Sequence, residues 1–199
     1  MIRLATLQVL ITSILLSSNN HPIILVHGFL GWGKEEVGDK NYWGGENDIE
    51  KYLNDRGYQV YSVSLGPVSS TYDCAIETFY QIKGGQVDYG QEHSEKYKII
   101  RKPEGKIYKG FYPKWNKENP VHLIGYSFGG LTNRMLLHLL NSTFLKSEDG
   151  EYEESYLLGN SLRGWIKSIT TMSTPHNGST LSDIAVSYTH LRAHETGCY

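Results

Sequence analysis

The sequence predicts an α/β protein in which a mostly parallel sheet carries helices on both faces. Short continuous apolar runs of strand length recur along the chain, as at Ile23–Val26 and at residues 121–124. Such runs belong to strands buried on both faces. Between them lie segments with helical period, and strands that alternate with helices imply crossover connections and hence a parallel sheet. A chain of 199 residues, 39% hydrophobic and 12% aromatic, is enough for one domain with a buried core.

The elements follow in order. Ile23, Ile24, Leu25 and Val26 lie between Pro22 and Gly28, and this run is expected to be a central strand. Ile49, Tyr52 and Leu53 keep i, i+3, i+4 spacing over residues 47–56, and Gly57 is placed to end that helix in the left-handed conformation. Residues 58–65 supply the next strand. Ser70 and Asp73 are spaced as the N-cap and N3 acid of a helix that carries Ala75, Ile76, Phe79 and Ile82 and closes at Gly84. Residues 85–119 are polar, rich in lysine and tyrosine and without a clear period, and they form an insertion. Strand resumes at residues 121–126, and a helix over residues 128–141 places Leu131, Met135 and Leu139 on one face. Residues 165–172 supply the last strand.

The two ends stand apart from this pattern. Met1, Ile2 and Arg3, then the apolar residues 4–16, then Ser17 and Ser18, have the order of a secretory signal, so residues 1–18 are read as a signal peptide and the protein as exported. The run is too short to span a bilayer. Val-Ser-Tyr-Thr-His-Leu-Arg-Ala-His-Glu-Thr, at residues 186–196, reads as the translation of a transposase-type sequencing adapter. Residues 186–199 are accordingly set aside as a non-native tail, which leaves residues 21–185 for the fold. A net charge of -2, from 19 basic and 21 acidic residues, offers no cationic field for nucleic acid. Cys74 and Cys198 make neither a zinc-type pair nor a disulfide framework.

Chemistry concentrates at Gly125-Tyr126-Ser127-Phe128-Gly129. G-x-S-x-G is a weak pattern alone, but between a strand and a helix it describes a nucleophile on a strained turn at the carboxyl edge of the sheet. That context makes the α/β-hydrolase fold the expected class. The competing reading is a glycine-rich turn whose serine only caps the helix. A serine nucleophile also needs backbone N–H groups aimed at the developing oxyanion. One is the amide of Phe128, and the other comes from the loop after the first strand, where Phe29 is the candidate. His27 is expected to fix that loop by hydrogen bonds to backbone rather than to act in catalysis.

Five segments, H-P-I-I-L-V-H-G-F-L-G-W-G from residue 21, Y-W-G-G from 42, G-G-Q-V-D-Y-G from 84, G-Y-S-F-G-G from 125 and S-T-P-H-N-G-S-T from 173, together resemble the staphylococcal and thermophilic-bacillus lipases, bacterial lipase family I.5. The resemblance covers residues 21–185 in unbroken order. It implies triacylglycerol hydrolysis at a lipid–water interface through an acyl-enzyme, a mobile helical lid, bound zinc and calcium ions, and no cofactor in catalysis. It matches Ser127 to the nucleophile, Phe29 and Phe128 to the oxyanion-hole amides, and Asp73 and His93 to two zinc ligands. Ile99 stands where the family has its next zinc-binding histidine, and isoleucine cannot bind a metal, so the set is one ligand short. Without metal, Asp73 is the N3 acid of its helix and His93 a surface histidine. Tyr126 replaces the family's usual histidine before the nucleophile.

By the same resemblance His176 belongs to a structural turn, and the triad acid, the triad histidine and the calcium ligands come downstream of this sequence. The chain is therefore read as an N-terminal part of the lipase domain, inactive by itself. Ser127, Asp183 and His190 or His194 occur in triad order, but both histidines fall in the tail. A carboxylesterase or phospholipase, or a non-catalytic binding protein on the same fold, stands as the alternative. The implied partner is a lipid ester, with no nucleic acid; the oligomeric state is open.

Overall fold

The structure is a computed structural model that describes residues 20–34, 36–142 and 155–180. The expected signal peptide, the tail, Asp183, His190, His194 and Cys198 lie outside the described residues.

Strand β1 (Ile23–Val26) is followed by helix α1 (Ile49–Asn54) and strand β2 (Val60–Ser62). Helix α2 (Thr71–Lys83) leads into a small unit of two short strands, β3 (Gly85–Gln86) and β4 (Ile107–Tyr108), that flank helix α3 (Gln91–Tyr97). Strand β5 (Val121–Tyr126), helix α4 (Phe128–Asn141) and strand β6 (Ile166–Met172) complete the described chain. The main sheet has the order β2-β1-β5-β6 and every pair in it is parallel. Ile24 stands between Tyr61 on one side and Leu123 on the other, and Val26 stands opposite Gly125. β1 is central, as its unbroken apolar run requires: Ile24 and Val26 are fully buried.

The strand order positions the site. From β1 the chain moves one way to β2, then returns past β1 to β5 and on to β6. Right-handed crossovers therefore set α1 against one face and α2 and α4 against the other, and α2 and α4 do pack on each other. Because the loops that leave the adjacent strands β1 and β5 run to opposite faces, a crevice opens between their carboxyl ends, and this is where open α/β sheets bind ligands.

Helix α2 forms as the sequence predicts. The Ser70 hydroxyl accepts the Asp73 N–H at 3.1 Å, Ala75, Ile76, Phe79 and Ile82 are fully buried, and Gly84 ends the helix with φ +94°. Two helices differ from expectation. The apolar spacing of α1 predicts a buried face, yet Ile49 and Tyr52 are exposed and no residue of α1 is fully buried. α1 is held instead by the Asp48 carboxylate, which accepts the Lys51 N–H at 2.8 Å, and by ion pairs at the surface. In α4 the buried face is turned by one residue from the predicted one. Leu136, Leu139 and Leu140 are inside with Thr132 and Asn133, while Leu131 and Met135 are only half-buried. The glycines at 129 and 130 let this face approach β1 and the segment after β6, which brings the polar pair inward with it.

Strand β2 is shorter than the predicted 58–65, since Tyr58 is exposed and pairing covers residues 60–62. The polar stretch over residues 85–119 is more than a surface insertion. Val87 and Trp115 are fully buried, and the Trp115 indole donates to the Trp165 carbonyl at 2.7 Å. Its charges face inward: Lys106 Nζ lies 2.6 Å from Glu77 and 2.8 Å from the Tyr89 hydroxyl, which also donates to Glu77 at 2.7 Å. Asp88 is gripped by Arg101 Nε at 2.7 Å and Arg101 Nη2 at 3.0 Å. Burial alone would raise the Asp88 pKa, but Arg101, the Gly90 N–H and Lys102 outweigh it and hold the carboxyl below its ordinary value.

Candidate active site

Ser127 sits between β5 and α4, and the backbone there has φ +52° and ψ -123°, a conformation that residues with a side chain rarely adopt. Neighbouring backbone enforces it. The Ser127 N–H donates to the Met172 carbonyl at 2.8 Å, and the Gly130 N–H donates back to the Ser127 carbonyl at 3.2 Å. The close approach needs glycine: a methyl group on Gly125 would stand 2.5 Å from Gly129 and Gly130 backbone atoms, and one on Gly129 would run into the Val26 carbonyl oxygen. Ser127 is the N-cap residue of α4 yet makes no capping hydrogen bond with its side chain. A serine used only as a cap would accept an N–H of the first turn with its hydroxyl oxygen, so this one is left free for chemistry at the head of a helix whose dipole favours negative charge.

The β1 loop closes over the elbow. Gly28 is so near that a methyl group on it would lie 2.9 Å from Ser127 Cβ and 3.3 Å from the Phe128 nitrogen. The Phe29 and Phe128 rings meet edge to face at 6.4 Å. They share a small cleft with His27, Leu65, Pro67 and Thr132, and Cys74 also lines it. Burial, with Glu77 and Asp73 nearby, pushes the Cys74 thiol up to about 12, so it remains a protonated apolar wall.

His27 is buried and both ring nitrogens are engaged. A carbonyl can only accept, so the 2.9 Å contact from Nδ1 to the Gly28 oxygen places the proton on Nδ1. Nε2 then accepts the Leu65 N–H at 3.0 Å. The imidazole is thus a neutral brace between the loops after β1 and β2, and burial keeps its pKa below the ordinary value. Tyr42, to which the sequence reading gave no role, joins the same loop: its hydroxyl accepts the Gly28 N–H at 3.1 Å. The Y-W-G-G motif was visible, but nothing in its spacing shows that a residue 14 positions downstream meets Gly28.

His176 makes its hydrogen bonds to residues other than Ser127. Its Nδ1 is 3.1 Å from Arg134 Nη1 and its Nε2 is 3.1 Å from Thr171 Oγ1. Arg134 can only donate, so both nitrogens are committed to fixing the turn after β6. Among the described residues no hydrogen bond joins Ser127 to an imidazole.

Asp73 and His93 do come together, with His93 Nε2 2.8 Å from Asp73 Oδ1. Asp73 Oδ2 also accepts the Ser70 hydroxyl at 2.7 Å, as befits the N3 acid. His93 is not the surface residue expected of it. Its side chain is only 15% exposed, stacked on Tyr72 at 4.1 Å and tilted against Tyr97 at 4.7 Å. Among the described residues no group of three or more His, Cys, Asp and Glu side chains converges, and Ile99 brings no donor. The described residues therefore do not assemble a four-ligand zinc site; Asp73 and His93 instead tie α2 to α3 directly.

Comparison with known proteins gives this geometry its family. The model of the lipase-like C-terminal domain matches residues 19–194. A lipase of Staphylococcus epidermidis is 41% identical over 176 residues, a match that takes in 83% of this chain and 25% of that protein. Lipase 1 from Pelosinus fermentans superposes with a TM-score of 0.74 at 42% identity, covering 83% of this chain and 44% of that one. The Staphylococcus hyicus lipase superposes with a TM-score of 0.73 at 35% identity, over 90% of this chain and 50% of that one. The chain thus spans about a quarter of the length of the curated relatives it matches. The fold is that of the α/β-hydrolases, and the chain belongs to the lipase family defined by that C-terminal domain.

Proposed function

We propose that the full-length protein carrying this chain is an exported lipase that hydrolyses triacylglycerol through an acyl-enzyme on Ser127. The observation that carries the reading is the Ser127 elbow itself: a serine in strained backbone at the sheet's carboxyl edge, heading a helix without capping it. In this reading the Phe128 and Phe29 amides receive the oxyanion, and Ser127 Oγ attacks the ester carbonyl and expels the alcohol before water releases the acid. The exposed Phe29 ring, with Phe128, Leu65 and Pro67 beside it in the lining of the cleft, suits an apolar acyl substrate. Export is supported by the signal-like order of residues 1–18. The base that activates Ser127 is to be sought outside the described residues, and removing any triad member is expected to cost about four to six orders of magnitude in rate.

A fluorophosphonate probe and a long-chain triacylglycerol assay test this on the full-length protein. Labelling and hydrolysis are both expected to vanish in Ser127→Ala, and hydrolysis that survives this change would sink the reading. Preference for short-chain esters or phospholipid over triacylglycerol would favour the carboxylesterase or phospholipase alternative.

A further inference from the structure

We propose that Tyr42, in the Tyr42-Trp43-Gly44-Gly45 loop, is a positioning residue that locks the Gly28–Phe29 segment so that the Phe29 N–H faces the reacting carbonyl. The proposal rests on the reading of Ser127 as the nucleophile and Phe29 as an oxyanion donor. The physical problem lies at Gly28. That position must lack a side chain, because Ser127 Cβ and the Tyr126 carbonyl leave no room for one. A glycine beside the donor carries little steric preference of its own, so its two flanking peptides would rotate unless hydrogen bonds hold them.

Both are held. On the carboxyl side, the Gly28 carbonyl accepts His27 Nδ1 at 2.9 Å and the Gly31 N–H at 3.0 Å. In a trans peptide the N–H points opposite to its C=O, so anchoring this oxygen turns the Phe29 N–H away from the His27 ring. On the amino side, the Gly28 N–H donates to the Tyr42 hydroxyl at 3.1 Å. That hydroxyl is not placed by chance. The Tyr42 ring stands edge-on to Trp32 at 5.3 Å, to Trp43 at 5.6 Å and to Tyr126 at 6.2 Å, and it leans on the His27 ring at 5.5 Å. Burial raises the Tyr42 pKa, which keeps the hydroxyl neutral across the working range. The aromatic cluster thereby delivers one oxygen to one N–H, next to the elbow residue Tyr126 on one side and the donor loop on the other.

An oxyanion donor acts only if it is aimed before the charge develops, so loosening Gly28 weakens transition-state binding and leaves ground-state binding alone. Tyr42→Phe keeps the ring and removes the oxygen. In the full-length protein it is expected to lower kcat about 3- to 10-fold, the size of one neutral hydrogen bond, with KM within about twofold of wild type. The affinity for an alkyl boronic acid, whose adduct with Ser127 bears an anionic oxygen in the same place, is expected to fall by the same factor as kcat/KM. The melting temperature, followed by circular dichroism, separates this from mere loosening of the fold. A lower melting temperature without the boronic-acid loss overturns the proposal, as does an unchanged kcat while Ser127→Ala is dead. Hydrolysis that persists in Ser127→Ala overturns the nucleophile reading instead, and this proposal with it.

Discussion

At the scale of single residues, the environment of an imidazole decides what it does. His27 must stay neutral, because Nε2 accepts the Leu65 N–H and protonation would set two hydrogens against each other. Burial lowers its pKa, and burial, followed by His21 and Lys167, does the same to His122, which bonds Ser168 at 2.7 Å. Both groups titrate at an ordinary 6.5 once unfolded. Below that pH the unfolded chain takes up protons that the folded chain refuses. The stability due to these groups is therefore complete above about pH 6.5 and declines as the pH falls through their lowered folded-state values. Thermal melts of the full-length protein are expected to show the midpoint falling between pH 6.5 and pH 5. His122→Asn should remove part of that fall and leave the part due to His27; a flat profile would refute the account.

At the scale of elements, the unit between β3 and β4 shows how a polar stretch without periodicity becomes ordered. Over residues 85–119 the apolar anchors are few, Val87, Tyr89, Tyr112 and Trp115, and the remaining cohesion comes from charges brought against α2. Glu77 on α2 has a side chain only 3% exposed, and Lys106 is the cation that meets it. Lys106→Met would keep the apolar stem but leave the Glu77 carboxylate buried with the Tyr89 hydroxyl alone. Breaking a buried pair on one side typically costs about 3–5 kcal/mol, and the low end, about 3 kcal/mol, applies here because Lys106 is itself about a third exposed. Urea denaturation measures this, and adding Glu77→Gln to Lys106→Met is expected to recover part of the loss, since an amide costs less to bury than a carboxylate. A Lys106→Met protein as stable as wild type would show that the pair is idle.

At the scale of the whole molecule, the sheet has two open edges among the described residues, β2 and β6. β2 is short, with three residues. β6 runs for seven residues, pairs on one side only, and carries exposed Met172 at its end. A long strand with unpaired N–H and C=O groups is a template for pairing with another chain. The 199-residue chain, expressed by itself, is therefore expected to self-associate at micromolar concentration, as read by size-exclusion chromatography with light scattering. A cooperative soluble monomer would overturn this. No helix among the described residues is long and apolar enough to cross a membrane.

Much was legible in the residues themselves, because local chemistry specifies it. The apolar run of β1, the Ser70 cap with its buried α2 face, the span of α4 and the glycine-flanked serine each follow from spacing over a few positions, and the structure places all four where spacing puts them. What lay beyond the sequence were contacts between distant segments. The inward turn of Thr132 and Asn133 depends on how closely α4 sits on β1, which the glycines permit but do not announce. The pairing of Lys106 with Glu77, 29 residues apart, and of Tyr42 with Gly28, 14 apart, has no periodic signature. The sequence by itself determined which serine could be a nucleophile, since strain at one turn is written in its immediate neighbours. Only the tertiary structure decided which side chains hold the β1 loop beside it, since those hydrogen bonds exist only once the β1, β2 and Tyr42 loops have been brought together.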